Sequence, residues 1–115
     1  MAISIGNRII GPTVALSVTA ASTASVPIVT TTNDVTAYAA FVNTGPNAVA
    51  VNTSGLATCP PAVLPVPGTP SNVIMLPANM TGPIIYAIPF NCTVTAIGTA
   101  AGPATVYITP VTGQS

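Results

Sequence analysis

Charge is what this sequence of 115 residues lacks most: Arg8 and Asp34 are its two charged side chains, and it contains no Lys, Glu, His or Trp. An ordinary soluble domain is about a quarter charged. General acid–base catalysis requires a group that titrates near neutrality or a pair of carboxylates, so these absences exclude most enzyme mechanisms. One arginine cannot neutralise a run of phosphates, which also excludes direct contact with nucleic acid.

Ligands for metals and cofactors are missing as well. Structural zinc takes four Cys or His ligands and calcium takes several carboxylates, whereas the sequence offers two cysteines and one acidic residue. It also has no glycine-rich loop of the kind that cradles phosphate. We therefore expect no catalytic residue, no bound metal, no cofactor and no small-molecule substrate.

The two cysteines, Cys59 and Cys92, leave two alternatives open. They are either small buried thiols of a protein that folds in a reducing cytoplasm, or the two halves of a disulfide. On the chain-entropy model such a disulfide would stabilise the fold by roughly 3 to 4 kcal/mol. Neither cysteine has a neighbouring His or Lys that would lower its pKa, so we expect no reactive thiol.

Helix is excluded by what the sequence has in abundance, its 13 prolines. Between them lie short runs rich in Val, Ile, Thr and Tyr and bounded by Gly, Pro or Asn, which is typical of strands and turns. The sequence predicts an all-β protein, a single β-sandwich or jelly-roll-like domain of about seven to nine short strands. The predicted strands are Val14 to Thr19, Val35 to Asn43, Ala48 to Asn52, Asn72 to Leu76, Ile84 to Ile88, Thr93 to Ile97 and Ala104 to Thr109.

Turns and alternation support this interpretation. The pair Gly-Pro occurs four times, at residues 11, 45, 82 and 102, and each time a run of strand-forming residues follows. In the last run, Val106 and Ile108 alternate with threonines and Tyr107, as in a half-buried strand. The pair Ile84-Ile85 breaks the alternation, and we expect it to lie between two layers. No apolar run reaches the roughly 18 residues of a membrane span.

Two segments are candidates for contact with other molecules. Residues 58–70 contain five prolines and no charge; they form either a connection that lies flat on the domain or an interaction loop. Residues 1–12 form either the first strand of the home sheet or an arm that adds to a neighbour's sheet edge, and residues 13–115 form the sandwich. The candidate interface residues are Ile3, Ile5, Arg8, Ile9, Ile10, Val63, Leu64 and Val66.

Three stretches carry a resemblance to a known group of proteins: FVNTGPNAVAV at residues 41–51, NVIMLPAN at 72–79 and GPATVYITP at 102–110. They resemble small virion proteins of tailed bacteriophages, over roughly residues 38–112. The resemblance implies a β-sandwich on the outside of a phage head, as a decoration (cement) protein or part of a head fibre. It also implies synthesis in the host cytoplasm, residence in the virion, and the major capsid protein or other virion proteins as partners.

The residues themselves favour the same class, because a structural subunit needs a rigid fold and surface to bury but no reactive group. We expect a homo-oligomer that stabilises a capsid through apolar and strand-edge contacts. The alternative is a fibre, spike, tail or extracellular filament subunit with an adhesive, carbohydrate-binding role. Aromatic platforms are usual in carbohydrate sites, and the absence of Trp weakens that alternative.

Overall fold

The structure, a computed structural model, describes residues 8–31 and 38–112. These residues form eight strands and no helix. The strands are β1 (Val14–Val18), β2 (Val26–Pro27), β3 (Tyr38–Asn43), β4 (Val49–Ser54), β5 (Ile74–Leu76), β6 (Ile84–Ala87), β7 (Thr93–Gly98) and β8 (Ala104–Val111).

The strands make two antiparallel sheets of four, in the order β1-β8-β3-β6 for the first sheet and β2-β7-β4-β5 for the second. The pairs β1 with β8, β2 with β7, β3 with β6 and β4 with β5 are nested, as along one long hairpin. The further pairs β3 with β8 and β4 with β7 roll this hairpin into two stacked sheets. The prediction of an all-β sandwich is confirmed, and its strand order is that of a jelly roll.

Each of the seven predicted runs overlaps a strand, although β4, β7 and β8 extend one or two residues beyond the predicted ends. Each Gly-Pro pair lies shortly before a strand: β1, β4, β6 and β8 begin within three residues of such a proline. The start of the second predicted run, at Val35, lies outside the described residues. Sequence reasoning missed β2, which has two residues and includes Pro27. A run that short has no periodicity to detect.

The core lies between the sheets and is built of small aliphatic side chains. Phe41 of β3 is its one fully buried aromatic ring among the described residues, and it meets Tyr86 of β6 edge to face with ring centroids 5.8 Å apart. The buried cluster draws on both sheets and is made of Leu16, Val18, Ile28, Ala39, Phe41, Val49, Val51, Leu76, Ile88, Cys92, Val94, Ala96, Ala104, Val106 and Ile108. Val106 and Ile108 point inward and Tyr107 outward, as their alternation predicts.

The chain before β1 belongs to the first sheet as far as the structure describes it. Ile9 forms a bridge with Val111, and the N–H of Ile10 donates to the carbonyl of Pro110 at 3.1 Å. The N–H of Thr112 donates to the carbonyl of Arg8 at 2.8 Å. Residues 8–10 therefore pair with their own β8, as a first strand of the home sheet would.

The expectation that Ile84-Ile85 lies between two layers is wrong. The strand β6 that contains them is at the edge of the first sheet, and Ile85 faces outward with 40% of its surface exposed. Ile84, opposite Phe41, is half-buried. Two consecutive apolar residues can thus belong to an edge strand that exposes one of them on an apolar outer side.

In residues 8–31 and 38–112, no helix is long and apolar enough to cross a membrane.

Candidate functional site

The two outer faces of the sandwich differ in what covers them. On the second sheet part of the outward side is covered: Ala50 is fully buried, and Thr93 and Thr95 are 5% and 2% exposed, whereas Met75, opposite Ala50, is 42% exposed. The segment 58–70, called here the proline segment, lies over Thr95 and Asn52, and the turn after β4 lies over Thr93, whose hydroxyl donates to the carbonyl of Leu56 at 2.9 Å. A sandwich normally presents the outward side of such strands to water, so the proline segment acts as a third layer on this side.

Hydrogen bonds fix the first half of the proline segment to the sheet. The hydroxyl of Thr95 donates to the carbonyl of Pro60 at 2.7 Å, and the side-chain amide of Asn52 donates to the same carbonyl at 3.2 Å. The N–H of Cys59 donates to the hydroxyl of Ser25 at 2.8 Å. Because proline carbonyls still accept although proline nitrogens cannot donate, side-chain donors of the sheet hold a segment that cannot form a ladder.

The second half of the proline segment projects from the surface. Val63 and Val66 are 57% and 55% exposed, and Leu64 is half-buried. Val66 and Thr69 exchange two backbone hydrogen bonds of 3.2 and 2.8 Å around a turn in which Gly68 has a φ of 83°. The segment thus combines both alternatives predicted for it: its first half lies flat on the domain, and its second half is an exposed apolar loop.

The outer face of the first sheet has no such cover among the described residues. We call it the open face, and its residues are Ile9, Tyr38, Ala40, Val42, Pro83, Ile85, Tyr107 and Thr109, with Val111 at the base of its groove and only 4% exposed. Strand register places Tyr38 beside Val111, Ala40 beside Thr109 and Val42 beside Tyr107. The large side chains stand out of it: Ile9 is 67% exposed, and Tyr38, Ile85 and Tyr107 are 38%, 40% and 39% exposed.

A shallow groove of about 420 Å³ runs along the open face. Its floor is made of small or half-buried residues, Ala40, Val42 and Thr109, and its margins are Ile85 and Pro83 on one side and Ile9 on the other. The polar side chain in this lining is Thr109, whose hydroxyl lies 2.7 Å from the hydroxyl of Thr13. None of the described residues that line the groove is formally charged, so it can recognise a partner by shape and apolar area alone.

A second, smaller group of exposed apolar side chains lies at one end of the sandwich. Leu56, after β4, is 62% exposed, and Phe90, in the turn between β6 and β7, is 63% exposed. A methyl group on the neighbouring Gly55 would lie 3.5 Å from the carbonyl of Phe90, which places the two turns side by side. Val29, 49% exposed, follows Ile28, whose N–H donates to the carbonyl of Cys92.

The two cysteines are free thiols in the structure, so the disulfide alternative is not the arrangement it shows. Both are buried: the thiol of Cys59 lies 3.6 Å from the hydroxyl of Thr95, and the thiol of Cys92 donates to the carbonyl of Thr93 at 3.5 Å. Burial raises the pKa of Cys92 to about 11, which keeps it protonated at neutral pH. A protonated, buried thiol is a poor nucleophile.

Among the residues that the structure describes, no group of three or more His, Cys, Asp or Glu side chains could hold a metal ion. The buried polar side chains in this part of the chain all have hydrogen-bond partners. Exposed apolar surface is therefore the chemical feature that the described residues offer for function.

The predicted interface residues fall into several environments. Ile9, Val63 and Val66 are exposed, and Arg8 is exposed beside the open face. Ile10 is 1% exposed, because its side chain points to the opposite side of the strand from Ile9 and into the interior. It therefore offers no surface to a partner. Ile3, Ile5 and also Asp34 lie outside the described residues.

Sequence reasoning missed most of the open face, namely Tyr38, Val42, Ile85 and Val111, and the end residues Leu56 and Phe90. One signal was available: alternation predicts Tyr107 on the threonine side of its strand, where the structure has it. Extending that alternation to the neighbouring strands requires their order in the sheet, which the sequence does not provide.

Comparison of the chain with protein-family models, with curated proteins and with solved structures finds no match.

Proposed function

We propose that this protein is a non-enzymatic structural subunit that functions by burying its uncharged apolar surface against other proteins. The observation that carries the proposal is the open face, where Tyr38 and Tyr107 are exposed and Ile9 and Ile85 flank a groove whose described lining residues carry no formal charge. Contiguous exposed apolar patches of a few hundred Å² on soluble proteins are often interaction sites.

The contrast between the two outer faces strengthens the proposal. The chain covers part of the outside of its second sheet with residues 58–62, and no described segment lies over the outside of the first sheet in the same way. Covering apolar surface contributes roughly 25 cal/mol for each Å² removed from water. A partner that covers the open face gains the same kind of stabilisation that the proline segment provides on the other side.

Within this class, we propose a decoration protein on the capsid of a tailed bacteriophage. The support is the resemblance of residues 41–51, 72–79 and 102–110 to small phage virion proteins, together with the near absence of charge. Jelly rolls recur in viral capsid proteins, although lectins and cupins share the architecture, so the fold agrees with the proposal without singling it out.

The proposed mechanism is attachment of many identical copies to a repeating capsid lattice, in which individually weak contacts add up to a high avidity. Faces are better suited to these contacts than strand edges. Of the four edge strands, β2, β5 and β6 have only two, three and four residues, with Pro27, Pro77 and Pro83 in or beside them, and β1 has five. Short edges with proline resist the addition of a further strand.

Electron microscopy of purified particles from the source of the chain tests this function. We expect density for the sandwich on the outer surface of the head, in a fixed ratio to the major capsid protein. Attachment should stay nearly constant between about 50 mM and 1 M salt, because there is little charge attraction to screen. Absence of the chain from particles, or its release at moderate salt, would overturn the proposal.

A carbohydrate-binding fibre subunit is the second candidate, and one observation favours it. Tyr38 and Tyr107, each about two-fifths exposed on the open face, could stack against sugar rings, and Thr105 and Thr109 bring hydroxyls to the same side. Binding to immobilised glycans that is lost in both Tyr38→Ala and Tyr107→Ala would support this role. Capsid attachment without glycan binding would exclude it.

A further inference from the structure

We infer that the open face is a two-fold interface on which a second copy of this chain packs, first sheet against first sheet. The inference deepens the proposed function by naming the partner of one surface, but it rests on the geometry of the open face and applies to the isolated protein. The other exposed apolar groups, at the end of the sandwich and on the proline segment, then remain available for a different partner.

The size of the open face fits a partner of this kind. Large side chains carry roughly 150–250 Å² each, so Ile9, Tyr38, Ile85 and Tyr107 together expose about 350 Å². The other residues of the face add less, because Ala40, Val42 and Thr109 are half-buried and Val111 is 4% exposed, so the whole face exposes about 500 Å². Two such faces would bury about 1,000 Å² in total, which is below the about 1,200–2,000 Å² of stable specific interfaces and suits a dimer that associates weakly.

The shape of the open face is complementary to itself, which a two-fold interface requires. Ile9 stands beyond β8 at one margin, and Ile85 stands beyond β3 at the other. Between them, the small side chains of Ala40 and the neighbouring Thr109 leave a shallow depression. The projecting Ile9 of each copy can therefore enter the shallow centre of the other, as residues of facing sheets interdigitate inside a sandwich.

Charge favours a second copy over most other proteins. The described lining of the groove is uncharged, with Arg8 exposed beside it, and the chain as a whole has a formal net charge of zero, so there is no net repulsion between two copies. A partner with an ordinary charged surface would have to bury those charges without a counter-charge from the groove, which costs free energy. An identical face carries the same uncharged surface and avoids that cost.

A small molecule is a poorer occupant of the groove. Sites for small molecules enclose most of the ligand and place several polar groups to orient it. This groove is shallow, and Thr109 is the polar residue in its described lining. A flat apolar sheet suits the groove better, because it can cover the floor and both margins together.

The test is the oligomeric state of the purified full-length chain, measured by sedimentation across a range of concentrations. We expect the wild type to reach twice the monomer mass of 11.3 kDa. Ile85→Lys and Ile9→Lys should each weaken the dimer at least about 30-fold, as for central contacts of an interface. The matched control is Leu56→Lys, at an equally exposed apolar residue away from the open face; it should leave the dimer unchanged within about threefold.

Circular dichroism and the urea midpoint establish that each variant is folded before its mass is interpreted. A wild type that stays monomeric at about 100 µM overturns the inference. A dimer that resists both open-face variants but is lost in the control also overturns it, and assigns the contact to the end of the sandwich.

Capsid binding by the same variants separates this inference from the proposed function. If the wild type is monomeric and Ile85→Lys loses capsid binding, the open face binds the capsid and the inference fails while the function stands. If the dimer depends on the open face and no copy binds capsids, the inference stands and the function fails.

Discussion

Asn43, at the end of β3, shows how one polar residue organises a corner of an almost uncharged core. Its side chain is fully buried, and its amide donates to the carbonyls of Asn47 and Pro77 at 2.7 and 3.1 Å. Its side-chain oxygen accepts from the N–H of Gly45 at 3.0 Å. The residue therefore ties the turn after β3 to the chain that follows β5, and it satisfies backbone groups that would otherwise be buried without partners.

Replacing this residue should be costly. We expect Asn43→Ala to lower the free energy of unfolding by about 2–4 kcal/mol, because three hydrogen bonds are lost and buried backbone groups remain unpaired. Asn43→Asp should cost at least as much, since a carboxylate of the same size faces two carbonyl oxygens. Urea unfolding measures both, with the exposed Asn72→Ala as control; a neutral Asp variant would contradict this role.

The thiol of Cys92 provides a prediction about alkaline pH. Its pKa is about 11 in the folded protein, against an ordinary value of 9.0, because burial disfavours the thiolate. Above pH 9 the unfolded chain loses this proton before the folded chain does, so its contribution to stability is present below pH 9 and is lost as the pH rises toward 11.

We therefore expect the urea midpoint of the wild type to fall between pH 9 and pH 11, and to fall less steeply in Cys92→Ala. Comparison of slopes removes the constant cost of the cavity that the alanine creates. Cys59→Ala keeps the Cys92 thiol and should retain the steeper fall. Equal slopes in the wild type and Cys92→Ala would show that this thiol does not contribute.

At the scale of elements, the sequence predicts where the strands lie but not which of their outward side chains are buried. The strands follow from β-branched runs and Gly-Pro pairs, which are local signals. Alternation puts Thr95 on the outward side of β7, yet it is only 2% exposed, because the proline segment returns over it and the carbonyl of Pro60 accepts from its hydroxyl. The open face could not be predicted either. Whether the outer side of a sheet is covered or exposed depends on contacts between segments far apart in the chain.

The turn at the tip of the proline segment provides a prediction with an internal control. A Cβ added at Gly68 or at Gly82 would meet no atom within 4 Å, but Gly68 has a φ of 83° whereas the φ of Gly82 lies outside the left-handed region. Gly68→Ala should cost about 1 kcal/mol through backbone strain alone. Gly82→Ala should be neutral or slightly stabilising. Thermal unfolding of the two variants measures the difference; equal effects would contradict it.

At the scale of the whole molecule, the lack of titratable groups predicts a flat response to mild acid. The sequence contains no His and no Glu, and Asp34 is its one acidic residue. We expect the free energy of unfolding to change by less than about 1 kcal/mol between pH 4 and pH 8. Urea titrations across this range measure it, and a steep acid transition would show that Asp34 is strongly coupled to folding.

The nested strand order determines when this fold can be completed. β1 pairs with β8, so the first sheet cannot close until residues 104–111 have been synthesised. Proteins dominated by such long-range pairs fold slowly, because a large loop entropy must be overcome before the contacts form. During that interval the apolar strands are exposed on a chain with almost no charge to keep copies apart, so yield in the cell depends on how fast the last strand arrives.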